Sequence, residues 1–342
     1  MTVRVGVYGV GHFGFAIVRH LQRQTPVPST LTAFDRNDEV RRSLRDERRH
    51  PYHHADTPLS AGVRIVETID ELMAATDVLV LAVTSHSTRE VMATIAASER
   101  SEPLTIINTA KALDYQTGRR LSEIVLESLG PAAGRVTYAA LAGGTIADDL
   151  LRHEPLGMTL ACEDATALPG LGALLVSDRL WVETTTDLAG VEYAGAFKNV
   201  VAICAGMVSG LGYSHGSVTH LISRLAREIE DFCVAHLGAD RATFSAGSQC
   251  WGSDLWMSCT GKTRNRAIGR LLGRGMSLEE ANAAMAQRHT TVEGVQTLRA
   301  IRVLVAEHAA ALPLLTITTA IVLEGAPPTR LIEALMSDHG AS

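Results

Sequence analysis

The chain shows no basic excess, no paired cysteines, no recognisable secretory signal, no internal repeat and no uninterrupted apolar run, and each of these lowers the expectation for a class of function. Lys and Arg number 31 against 37 Asp and Glu, for a net charge of -6. That balance gives no sequence-wide attraction to nucleic acid or anionic lipid. The five cysteines (Cys162, Cys204, Cys233, Cys250, Cys259) are scattered and none forms a C-x-x-C pair, which argues against a disulfide framework or a structural zinc site and for a reducing compartment. No charged leader or cleavage motif precedes the strand-like run that begins at Val3, so cytoplasmic residence is expected. The most apolar stretch, residues 194–211, contains Lys198, Asn199 and several glycines, with Glu192 just ahead. It reads as a buried helix, and no membrane span is expected.

What is present is a globular composition, 46% apolar and 20% charged over 342 residues, too long for one ordinary core. Short β-branched runs at residues 3–8, 31–34, 63–66, 78–83, 104–108 and 136–141 alternate with helix-period segments such as 15–24, 90–97 and 121–129. Runs apolar on both faces imply a mostly parallel sheet wound with helices on both sides. Two further short strands are expected at 158–161 and 180–183. After about Asp187 the pattern turns helical: 195–209, 218–237, 267–272, 278–287 and 291–308. Gly275 suits a helix C-terminal cap, and Ser277 with Glu280 makes a capping box that starts the next helix. The expected division is an α/β domain over residues 1–188 and an all-α domain over 189–342.

Gly9-Val10-Gly11-His12-Phe13-Gly14 directly follows a strand and opens a helix, the context a G-x-G-x-x-G dinucleotide loop requires. Gly9 permits the turn, Gly11 admits the pyrophosphate to the backbone, and Gly14 lets the helix pack, with the helix N-terminus at His12 and Phe13 facing the phosphates. Asp35 ends the second strand, 21 residues after Gly14. A carboxylate there accepts from ribose hydroxyls and repels a 2′-phosphate, which favours NAD. Arg36 beside it keeps NADP open, and FAD is a further alternative. The fold class is therefore Rossmann-type.

Lys198 sits among core-type residues, where a cation is costly without a purpose. It can serve as a general acid, or its stem can pack while the amine reaches water. Lys111 follows the strand at 104–108 and falls on the crevice side of a parallel sheet, or else is an ordinary loop lysine. Gly261-Lys262-Thr263 imitates a Walker A ending but has Trp256 where glycine is needed. Thr263 reads instead as a helix N-cap, with Arg264 and Asn265 in the first turn, where a phosphate meets both a guanidinium and the helix dipole. A solvated basic helix start is the alternative.

With these residues in view, the chain resembles NAD(P)-dependent glycerol-3-phosphate dehydrogenases. The resemblance rests on Gly195-Ala196-Phe197-Lys198-Asn199-Val200-Val201-Ala202-Ile203, Gly210-Leu211-Gly212, and the block from Ser258-Cys259-Thr260 to Thr263-Arg264-Asn265-Arg266. Asn108-Thr109-Ala110-Lys111-Ala112-Leu113, Thr117-Gly118 and Val292-Glu293-Gly294-Val295 extend it. It implies reduction of dihydroxyacetone phosphate to glycerol 3-phosphate, or the reverse, by a homodimer. It implies Lys198 as the acid/base, Lys111 as the lysine orienting the carbonyl, Asp254 and Ser258 in the substrate's polar network, and Arg264 and Asn265 on the phosphate. Ala147, Arg264 and Glu293 would lie along the cofactor. Ala142-Gly143-Gly144, Val83-Thr84-Ser85, Trp251-Gly252-Ser253-Asp254-Leu255 and Tyr213-Ser214-His215-Gly216-Ser217 depart from the family pattern and leave open a different phosphorylated or anionic hydroxy or keto compound.

Two other groupings draw attention. His50, His53 and His54 with Asp56 lie in a proline-bounded loop with no partner motif, and no metal is expected. The six arginines between Arg36 and Arg49 interleave with Asp38, Glu39, Asp46 and Glu47, as on a solvated helix, so no nucleic-acid partner is needed. A non-catalytic NAD(H)-binding sensor is the competing hypothesis, motivated by Thr84 and Gly144. Joint retention of Lys111, Lys198, Asp254 and Arg264 argues against it.

Overall fold

In a computed structural model that describes residues 3–24, 28–54, 56–98, 100–286 and 292–337, the β-branched runs become one eight-stranded sheet. Its strands are β1 (Arg4–Tyr8), β2 (Thr30–Phe34), β3 (Val63–Ile65), β4 (Val78–Leu81), β5 (Leu104–Asn108), β6 (Val136–Ala142), β7 (Leu156–Cys162) and β8 (Leu180–Thr185), in the order β3-β2-β1-β4-β5-β6-β7-β8. All neighbours are parallel except β6 and β7. The four residues of β4 are all buried, as a strand covered on both faces must be. Strand order reverses between β1 and β4, where Tyr8 pairs with Leu81, and the carboxyl ends of parallel strands at such a reversal open a ligand crevice. Helices α1 (His12–Leu21), α2 (Asp38–Asp46), α3 (Ile69–Ala74), α4 (Thr88–Ala96), α5 (Leu121–Leu129), α6 (Ala147–Leu151) and α7 (Leu168–Leu175) accompany the sheet. The basic run lies on and after α2, where Arg41 pairs with Asp38 and Glu67, and Arg45 with Glu67 and Asp46.

The second part is helical: α8 (Leu188–Gly210), α9 (His215–His236), α10 (Asp254–Thr260), α11 (Arg264–Gly273), α12 (Leu278–Ala286), α13 (Glu293–Ala300), α14 (Arg302–Glu307), α15 (Pro313–Glu324) and α16 (Thr329–Ser337). By contact the chain divides into Met1–Lys111 with Leu121–Leu188, and Ala112–Arg120 with Ala189–Ser342. Ala112–Arg120 therefore goes with the helices, although its position in the chain suggests the sheet. Two contacts explain it: Arg120 lies 3.8 Å from the buried Glu192, and a Cβ on Gly118 would come within 2.5 Å of the Ala300 carbonyl.

Among the described residues α8 is the one helix long and apolar enough to cross a bilayer, and 94% of that window is buried in protein. Its glycines explain the burial. A Cβ on Gly206 would stand 2.2 Å from the Arg266 carbonyl, and one on Gly210 2.4 Å from that of Arg270. Reciprocally, Gly269 and Gly273 of α11 would meet the Ile203 and Met207 carbonyls at 2.0 and 2.2 Å. Two small-residue stripes thus let α8 and α11 cross backbone to backbone.

The helix expected over 291–308 breaks at the buried Ile301 into α13 and α14, and Gln287 and Thr291, at the expected ends, lie outside the described residues. The capping box is present: Glu280 N–H donates to Ser277 Oγ at 3.2 Å and Ser277 N–H to Glu280 Oε2 at 2.8 Å.

The N-terminus of α15 begins with Pro313 at its first turn, and the Leu314 and Leu315 N–H groups donate to Glu228 of α9, both at 2.9 Å. Burial, only partly offset by these donors, raises the Glu228 carboxyl to about 7. A folded-state pKa above the unfolded one means the native state holds the extra proton between pH 4.5 and 7. Stability is then expected to fall as pH rises through that window, by up to ~1.4 kcal/mol per pH unit from this group. Glu228→Gln should flatten this part of the urea-unfolding profile; an unchanged slope would reject the assignment to Glu228.

Candidate active site

The strand β1 ends at Tyr8, and the loop that follows is forced into shape by its glycines. Gly9 takes φ +89°, and a Cβ there would touch the Ala82 carbonyl at 2.7 Å, while one on Gly14 would stand 1.9 Å from the Gly9 carbonyl. Gly11 is different, because a Cβ there would meet nothing within 4 Å. The protein needs no glycine at that position for its own packing, so the bare backbone serves something arriving from outside. That fits a pyrophosphate cradle at the head of α1. His12 is exposed on the first turn, and Phe13 packs half-buried against the core.

Asp35, at the carboxyl end of β2, already braces this loop: Oδ2 accepts from Val10 N–H at 2.8 Å and Oδ1 from Asn37 N–H at 2.9 Å. Each carboxylate oxygen keeps a second lone pair for a ribose hydroxyl. Arg36 is solvent-facing and rests 3.6 Å from Glu90, an exposed pairing of little energetic weight. Ala147 heads α6 with its side chain in the core. Lys111, just beyond β5, donates to the Gly143 carbonyl. That carbonyl is fixed by a glycine at φ +154° whose Cβ would stand 2.7 Å from the Gly157 carbonyl. The unusual Ala142-Gly143-Gly144 turn is therefore what Lys111 holds.

In the helical unit, the buried cation has its reason. Lys198 is 6% exposed, so its amine does not reach out to water; Nζ lies 2.9 Å from Asp254 Oδ1 and 3.1 Å from Ser258 Oγ. Asp254 and Ser258 are four apart on α10, so one helix face presents both to the lysine. Asp254 is fully buried, and it supplies the counter-charge without which an interior ammonium is untenable. The ammonium has three donors; two are spent on these partners, and among the described residues none takes the third, which is available to an oxygen.

The crossing of α8 and α11 brings the first turn of α11 to the same helix face. Thr263 caps α11, accepting from Arg266 N–H at 3.4 Å, and Asn265 Nδ2 donates to Asn199 Oδ1 at 2.9 Å. Asn265 Oδ1 accepts from Gly294 N–H at 2.9 Å, and Asn199 Nδ2 donates to Glu293 Oε2 at 3.4 Å. Glu293 in turn lies 3.8 Å from Arg264, whose guanidinium is half exposed. Asn199 is thus a hub joining α8, α11 and α13, and sequence reading passed over it. The available signal was a second polar residue beside Lys198 in an otherwise apolar helix.

Comparison with known proteins agrees with both halves. The family described as "NAD-dependent glycerol-3-phosphate dehydrogenase N-terminus" matches residues 4–168, and its C-terminus counterpart residues 187–333. A glycerol-3-phosphate dehydrogenase [NAD(P)+] of an Exiguobacterium species is 30% identical over 97% of this chain and 94% of that protein. One from Myxococcus xanthus is 32% identical over 98% and 97%. Among solved structures, the Coxiella burnetii glycerol-3-phosphate dehydrogenase has a TM-score of 0.84 at 22% identity, covering 98% of this chain and 99% of its own. The Plasmodium falciparum one reaches 0.90 at 16% identity, covering 99% and 97%; these two likenesses bear on the fold. A glycine loop built for a dinucleotide, a buried lysine with its carboxylate, and near full-length similarity converge, and the chain belongs to the NAD-dependent glycerol-3-phosphate dehydrogenase family.

Proposed function

We propose that the protein exchanges a hydride between NAD(P)(H) and the carbinol carbon of glycerol 3-phosphate, or in the other direction the carbonyl carbon of dihydroxyacetone phosphate. The observation that carries this reading is the Lys198–Asp254–Ser258 cluster, an interior ammonium held by a carboxylate and a hydroxyl, with one donor unspent among the described residues. The nicotinamide supplies the hydride when bound. Lys198 gives a proton to the oxygen that becomes the hydroxyl and takes it back in the reverse reaction, while Asp254 holds the ammonium in place and offsets its charge. Lys111 polarises the same oxygen. Arg264 and Asn265, at the capped start of α11, hold the phosphate through the guanidinium fork and the helix dipole. Holding the substrate in this way contributes on the order of 7 to 11 kcal/mol by positioning. Gly9, Gly11 and Gly14 seat the pyrophosphate, with His12 and Phe13 on the same turn and Ala147 and Glu293 as further cofactor contacts. Asp35 binds the adenosine ribose, and Arg36 tolerates a 2′-phosphate. A cytoplasmic homodimer completes the proposal.

The test is oxidation of NADH, and separately NADPH, with dihydroxyacetone phosphate and a panel of other phosphorylated ketones. Turnover with dihydroxyacetone phosphate above every other member supports the reading; dinucleotide binding with no oxidation by any member overturns it. Arg264→Ala should raise KM for the phosphorylated ketone by ~10- to 100-fold, the loss of one charge-assisted contact, with kcat changed less. An unaltered KM would remove Arg264 from the phosphate site.

A further inference from the structure

The sheet-containing unit holds a side-chain cluster of which the dehydrogenase reading uses only His12, leaving His54 and Asp148 without a role. His54, in the loop between α2 and β3, reaches back to the head of α1: its ring stacks on His12 with centroids 4.6 Å apart. Asp148, on the first turn of α6, joins them. Its Oδ1 lies 3.2 Å from His12 Nε2 and 3.6 Å from His54 Nδ1. The ligand atoms of all three residues fall within 4.8 Å of one another. His53 is a third imidazole in reach, its ring centroid 5.2 Å from that of His12.

These spacings carry chemical information. A tetrahedral ion with ligand bonds of about 2.0 to 2.2 Å separates neighbouring donor atoms by about 3.3 to 3.6 Å, and the two distances to Asp148, 3.2 and 3.6 Å, lie close to that range. The donor set, two or three imidazoles and one carboxylate, selects zinc-class transition ions over magnesium or calcium, which take oxygen ligands. The loop is built to deliver His54. His50 is buried, and its Nδ1 accepts from the N–H groups of both Tyr52 and His53, each at 3.1 Å, fixing the turn just before it. His54 itself is held at φ +55°, a conformation uncommon outside glycine.

We propose that His12, His54 and Asp148 form a binding site for a divalent transition metal of the zinc class, with His53 or water as the fourth ligand. The carboxylate is not Asp56, which the sequence places beside the histidines, but Asp148 of α6, 136 residues along the chain from His12. Because His12 opens α1, the site sits on the dinucleotide loop.

The experiment uses the full-length, tag-free protein freed of metal with a chelator and titrated with Co²⁺ alone, followed by visible absorption, and with Zn²⁺ by calorimetry. One Co²⁺ per chain with visible bands of a low-coordinate nitrogen–oxygen site, displaced by Zn²⁺, is expected. His54→Asn, which keeps a residue tolerant of positive φ, and Asp148→Asn should each weaken Zn²⁺ by at least ~10-fold. Their thermal unfolding is measured alongside, so that either folded variant suffices. Absence of binding by the parent protein at about 1 mM Co²⁺, or variants that bind as tightly as the parent, would reduce the cluster to a plain His–Asp pairing and overturn the proposal.

Discussion

Replacing Lys198 with alanine is expected to lower kcat by ~10²- to 10⁴-fold, the usual contribution of a positioned proton donor, while NADH affinity stays within about threefold. A structural effect runs alongside and has to be separated from the catalytic one. Removing the ammonium leaves Asp254, fully buried, without its counter-charge, and breaking a buried pair from one side costs about 3 to 5 kcal/mol. Alanine would therefore lose stability as well as turnover. The double variant Lys198→Met, Asp254→Leu removes both charges, and apolar replacement of a whole buried pair is often neutral or stabilising. Its urea midpoint should return toward the parent while its turnover stays lost. Recovery of turnover together with stability would show that the lysine serves the fold alone. Substantial turnover in a stably folded Lys198→Ala protein would likewise end its assignment as the proton donor.

The second large effect lies in the crossing of α8 and α11. Helix propensity alone favours Gly269→Ala by roughly 0.5 to 1 kcal/mol, because glycine in a helix interior carries excess chain entropy. Contact geometry says the opposite. The added Cβ would stand 2.0 Å from the Ile203 carbonyl and 3.1 Å from the Gly206 Cα, so the helices must part by more than an ångström or the backbone must bend. Overpacking of a close-fitted core costs about 1 to 3 kcal/mol even when flexible side chains absorb it, and here the obstacle is main chain. We expect Gly269→Ala to lose at least ~2 kcal/mol and Gly269→Val more, read from urea unfolding midpoints. Parting the helices also moves Asn265 off Asn199, so the residual folded enzyme should show a raised KM for the phosphorylated substrate. A Gly269→Ala protein as stable as the parent would show that propensity wins and the crossing is loose.

Much of this was legible in the residues because local periodicity carried it. All eight strands fall within about two residues of where β-branched runs put them, and the glycine loop is recognisable from its strand-to-helix setting. The misses have separate physical causes. The helix α10 is seven residues long and enters through a π-type turn at Gln249–Ser253, too short and irregular for a hydrophobic period to register. The helix α15 is apolar almost all round, so amphipathic patterning had little to show, although Pro313 at its start and Gly325 at φ +76° after its end are ordinary boundary signals. The reversed direction of β7 leaves no trace in composition. The Lys198 setting illustrates a subtler limit: a buried lysine is visible in sequence, but its partners are 56 and 60 residues away and only the packing of α10 selects them. The pairing of Asp148 with His12, 136 residues apart, has no sequence counterpart at all.

Asp35 and its neighbour divide two tasks that are usually spoken of together. The carboxylate is tied by both oxygens to backbone N–H groups, one of them in the glycine loop, so exchanging it to admit a different dinucleotide would loosen the loop that every dinucleotide needs. Arg36 is exposed and, among the described residues, rests on Glu90 alone at 3.6 Å, so the fold there leans on it little. Divergence in coenzyme preference among descendants of this chain, or an engineer's attempt to redirect it, therefore has an open route through position 36 and a closed one through position 35.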